Sequence, residues 1–101
     1  MTTMIPEATI DFLEPLTQNG KIELDGVLSF AIHNAGTATV TLGGLYTLAP
    51  GSTFNGGLPN FSAVVSDQVR VSFGAAGTRR VEVAVFRHKG GAYSNFENQP
   101  I

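Results

Sequence analysis

"KIELDGVLSFAIH", Lys21 to His33, decides the fold. Ile22, Leu24, Leu28, Phe30 and Ile32 hold even positions, while Lys21, Glu23, Asp25, Ser29 and His33 hold odd ones. Side chains of an extended strand alternate between its two faces, so a period of two marks a strand with one buried and one wet face. A helix would group its apolar residues three and four apart. Gly26 falls in the apolar phase, and that phase runs unbroken across it. The run therefore reads as one long strand with a bulge or bend at Gly26. Two short strands joined by a tight Asp25-Gly26 turn are the competing reading.

Downstream, "NAG" at 34–36 reads as a turn and "TATVTL" as a strand. Ala38, Val40 and Leu42 point inward; Thr37, Thr39 and Thr41 point outward, where a β-branched hydroxyl side chain suits a wetted face. Gly43-Gly44 permits a sharp turn, "LYTL" is a further short strand, and "APG" suits a type II turn. Residues 51–60, "GSTFNGGLPN", are a loop by composition. "FSAVV" reads as a short strand. "DQVRVSF" is a clearer one, with Val69, Val71 and Phe73 on one face. After a "GAAGT" turn, "RRVEVAVF" returns with Val81, Val83 and Val85 inward, so these two runs predict a hairpin. The last segment loses periodicity, and a mobile arm over 90–101 is expected beyond Gly90-Gly91.

Upstream, "EATIDFL" at 7–13 predicts a first strand with Ala8, Ile10 and Phe12 sharing a face, bracketed by Pro6 and Pro15. Asn19-Gly20 is a strong turn signal. Six to eight short strands with frequent turns predict an all-β chain. The expected form is a single antiparallel β-sandwich over 1–101, immunoglobulin-like or jelly-roll-like. Nothing in the pattern supports βαβ units or a dinucleotide site.

Hydrophobic residues make up 43% of the 101 residues and charged ones 14%, against roughly 25% charged in an ordinary soluble domain. Much of the surface must then be neutral or apolar, and edge strands have few charges to guard them. A homo-oligomer, or contact with other structural proteins, is expected. The net charge is −2, and the 6 Lys and Arg are scattered apart from Arg79-Arg80 and Arg87-His88-Lys89. Phosphate-dominated binding needs a basic footprint, so nucleic acid is not expected as the main ligand. The absence of cysteine removes disulfides, thiolate metal sites and Cys nucleophiles together. "MTTMIPEATIDF" has no basic region and no apolar run, so no signal peptide is expected there. No window is apolar for the length a membrane-spanning helix needs, so no membrane partner is expected.

Reactive side chains form no catalytic set. A serine triad needs a nucleophile on a strained turn beside its base, and G-x-S-x-G does not occur. His33 and His88 each read as exposed strand-end residues, without the spacing of a zinc site. Asp11 and Glu14 flank Phe12-Leu13, and Glu23 and Asp25 share one strand face as solvated carboxylates rather than as acid and base. No catalytic residue, cofactor or metal site is expected, and the chain is not expected to be an enzyme. A candidate contact surface does stand out. Phe54, Leu58 and Phe61 lie among glycines, Asn and Pro on the expected 51–61 loop. Such side chains either cap the open end of the fold or insert into a neighbouring subunit.

The pattern from Ile32, "IHNAGTATVTLGGLYTLAPGSTF", resembles the N-x-G-x-x-x-V…L-x-P-G rhythm of immunoglobulin-like β-sandwich modules. It is also similar to small all-β structural proteins of bacteriophage particles. The likeness covers about a quarter of the chain and consists mostly of turn chemistry, which converges easily. Surface modules of the first group carry a signal peptide and neighbouring repeats. The resemblance therefore implies a stand-alone virion component, a capsid accessory or tail protein, and it assigns no functional residue. A carbohydrate- or peptide-binding module is the alternative. With no Trp and only Tyr46 and Tyr93 as tyrosines, the chain is poor in stacking residues for that role.

Overall fold

The structure, a computed structural model, describes residues 8–57 and 64–88. Leu58, Phe61, the start of the "FSAVV" run and the arm expected over 90–101 lie outside these residues. Seven strands follow in chain order: β1 (Ala8–Phe12), β2 (Gly20–Asn34), β3 (Val40–Leu42), β4 (Tyr46–Leu48), β5 (Thr53–Gly57), β6 (Val65–Phe73) and β7 (Val81–His88). No helix occurs among the described residues. The all-β antiparallel class is as expected. The strands form one open hydrogen-bonded sheet in the order β1-β7-β2-β6-β3-β4, with β5 added to β2.

The stretch that opened the sequence reading forms β2, the organising element. It is one long strand of 15 residues. Its first half pairs with β6 from Gly20↔Val71 to Val27↔Val65. Its second half is flanked by β7, with Ile32↔Val83, and by β5, with Ile32↔Phe54. The register shifts between Leu24 and Val27 against β6, and between Val27 and Ser29 against β7. Gly26 sits at this bulge with φ 64°, a conformation that L side chains rarely adopt. The bulge lets two neighbours, Val27 and Leu28, both be buried, which strict alternation forbids. Period two therefore missed Val27.

Buried side chains from β2, β3, β4, β6 and β7 form one cluster that includes Ile22, Ile32, Val40, Leu48, Val71 and Val83. Each contributes roughly 1.5–3 kcal/mol, against about 0–1 kcal/mol for an exposed ion pair, so the core decides the fold. Ala38, Val40, Leu42, Val81, Val83 and Val85 are buried as expected. Gly43 and Gly44, with φ 63° and 77°, close the β3–β4 hairpin, where Leu42 pairs with Tyr46. The Ser52 amide donates to Ala49 O at 3.0 Å across Pro50-Gly51, closing the expected turn.

Two expectations are corrected. The expected hairpin of 67–73 with 81–86 does not form, because β2 lies between β6 and β7. Their connection folds against the 35–39 corner instead. The Thr37 and Ala38 amides donate to Thr78 O, the Ala35 amide to Arg80 O, and the Gly74 amide to Thr39 O. The expected 51–60 loop is also not a loop at its start, since Thr53–Gly57 is strand β5. Its glycines serve packing, because a Cβ at Gly56 would overlap the Phe30 ring.

Candidate interaction surface

The outward face of β1, β7 and β2 brings apolar side chains together at the β1 end. Antiparallel register places Ile10 beside Phe86 and Phe86 beside Ser29. The next row places Phe12 beside Ala84 and Ala84 beside Ala31. Facing residues of paired strands share one side of the sheet. Ile10 is 51% exposed and Phe12 79% exposed, while Ala31, Ala84 and Phe86 are half-buried. Ala8, Ile10 and Phe12 do share a face, as expected, but it is the exposed one.

The inward face of β1 explains this orientation. Thr9 and Asp11 point to the core side, and Asp11 Oδ2 accepts from Arg87 Nη1 at 2.7 Å. Arg87 Nε also donates to Asp25 O at 3.3 Å. The ion pair fixes β1 to β7 with its acidic side turned inward, which leaves the apolar side to solvent. Arg87, read from the sequence as part of a solvated basic cluster, is thus held within the chain.

Beside this face lies a depression of about 430 Å³. Phe12, Leu13 and Pro15 form one wall; Ala31 and His33 of β2 and Glu82 and Ala84 of β7 line the rest. His33 Nδ1 lies 2.8 Å from Thr53 Oγ1. Arg80 Nε donates to Glu82 Oε2 at 2.8 Å on the rim. His33 faces Glu82, whereas His88 faces Ala8, so the histidines mark opposite ends of β7. Glu23 Oε2 accepts from Gln68 Nε2 at 2.6 Å. Among the described residues, no three His, Cys, Asp or Glu side chains gather as metal ligands would.

Of the three residues expected to make contact, only Phe54 is described. It is half-buried in β5 and packs on the core, its ring centroid 6.1 Å from Phe30 and 5.0 Å from Tyr46. Ile10, Phe12 and Phe86 were not singled out from the sequence. Their signal was present: in "VAVF", 83–86, the positions between the inward valines are themselves apolar. Compared with models of known families, with curated proteins and with solved structures, the chain matches none.

Proposed function

We propose that this chain is a non-enzymatic structural or interaction protein that self-associates. One observation carries the reading: an outward sheet face built around Ile10, Phe12, Ala84 and Phe86 at one end of the sheet. Contiguous apolar surface mostly marks a contact site. Low charge elsewhere supports the same reading, since 14% of residues are charged. Acidic side chains near this face are engaged within the chain, Asp11 by Arg87 and Glu82 by Arg80. The resemblance to small particle proteins makes a bacteriophage capsid accessory or tail component the setting we propose.

Light scattering across a micromolar concentration series tests the reading. Mass should rise with concentration, and sulfate should strengthen the association, as it strengthens apolar burial generally. A single-chain mass throughout, unmoved by sulfate, refutes it.

A further inference from the structure

The outer edge of β1 specifies its own partner. The Leu13 amide donates to Val83 O at 3.0 Å, in the register that pairs Asp11 with Val85 and Thr9 with Arg87. In an antiparallel ladder a residue turns its N–H and C=O to one side, and successive residues alternate. Odd residues of β1 thus bond to β7, and the backbone groups of Ala8, Ile10 and Phe12 point off the edge. Among the described residues, no strand occupies that edge. The same three residues carry the outward side chains, so backbone groups unpaired among the described residues coincide with exposed apolar groups.

We infer that two copies of this chain pair β1 with β1 antiparallel about a two-fold axis at Ile10, which joins their sheets into one. This rests on the self-association reading above. In this register Ile10 faces Ile10, and the small Ala8 of each copy faces the large Phe12 of the other. Each facing pair of these residues exchanges two hydrogen bonds. Asp11 then faces Thr9 of the second copy. Moving the axis to Asp11 would set Asp11 opposite Asp11, and directly opposed like charges destabilise a sheet. Charge therefore favours the axis at Ile10 over the axis at Asp11.

The sheet's other terminal strand, β4, and the branch strand β5 are poorer templates. β4 has three residues, and β5 ends in Asn55-Gly56-Gly57. β1 has five residues, with neither Lys nor Pro, the residues that usually blunt an edge. A contact built on one short strand per copy is small, so the dimer forms reversibly with concentration.

Because the chain has no cysteine, single-cysteine variants report contacts without background. Facing Cα atoms in a hydrogen-bonded pair lie about 5.5 Å apart, within the roughly 4.4–6.8 Å span of a disulfide. On mild oxidation, Ile10→Cys should shift from the monomer band to a dimer band. Ala8→Cys and Phe12→Cys should each stay monomeric alone and shift to a dimer band when mixed. The mixture decides the matter should Ile10→Cys fail to fold, since Phe12 is largely exposed. A wild-type chain that associates by light scattering while the mixture stays uncross-linked overturns this pairing but leaves self-association standing. So does a dimer band from Asp11→Cys in place of Ile10→Cys. A monomer at every concentration overturns both.

Discussion

Among the described residues, Asn34 is the one buried polar residue, with no solvent exposure. Its Nδ2 donates to Ala38 O at 2.8 Å and to Leu48 O at 3.0 Å, and its Oδ1 accepts from the Gly36 amide at 3.2 Å. Its backbone bonds Ser52 O and the Gly51 amide. One side chain thus ties the end of β2 to the 36–38 corner, to β4 and to the turn before β5. Asn34→Ala leaves buried carbonyls without donors, and each such loss costs about 1–3 kcal/mol. Urea denaturation should show a loss of roughly 2–4 kcal/mol. Asn34→Asp sets a carboxylate against two carbonyl oxygens, which raises its folded pKa above the unfolded one. Its deficit relative to the wild type should therefore be smaller in acid and grow as pH rises; a flat deficit would contradict the assigned bonds. Gly56 makes a second residue-scale case. Gly56→Ala drives a Cβ into the Phe30 ring and should cost roughly 1–3 kcal/mol as overpacking. A neutral result would mean that the Phe30 ring does not lie over Gly56.

At the scale of elements, β2 should be the most protected strand. Its second half is bonded on both edges, by β7 and β5. In dilute solution, amide hydrogen exchange should be slowest there, and in β1 slower at Thr9 and Asp11 than at Ile10 and Phe12. Equal rates along β1 would contradict its ladder parity. This strand also shows how far the sequence could be read. β2 was legible because charged and apolar residues alternate strictly over most of its length, and the Pro50-Gly51 turn because its chemistry is local. β5 was hidden, since Thr53-Phe54-Asn55-Gly56-Gly57 has the composition of a turn and its partners in β2, Ile32 beside Phe54 and Phe30 beside Gly56, are distant in sequence. The β6–β7 misreading has a related cause. Two runs adjacent in sequence pair by default, and only the length of β2 and its bulge let it enter between them. Nor did the apolar parity of β1 reveal its direction. That depended on Arg87, distant in sequence, drawing Asp11 inward.

Over the whole molecule, one sheet buries its inner face and leaves an apolar outer face at the β1 end. Phe54 and Phe12 separate the two roles. Phe54→Ala removes a half-buried ring packed on Phe30 and Tyr46, so it should lower stability by roughly 2 kcal/mol, below the ~3–5 kcal/mol of a fully buried Phe. Phe12 is 79% exposed, and its replacement should leave monomer stability within about 0.5 kcal/mol. The most direct measurement is therefore light scattering on the Ile10→Ser/Phe12→Ser double variant beside the wild type, with circular dichroism confirming the β-sheet in both. The mass of the wild type should rise with concentration, and the folded variant should keep the mass of one chain. A folded variant that associates as strongly as the wild type would contradict it.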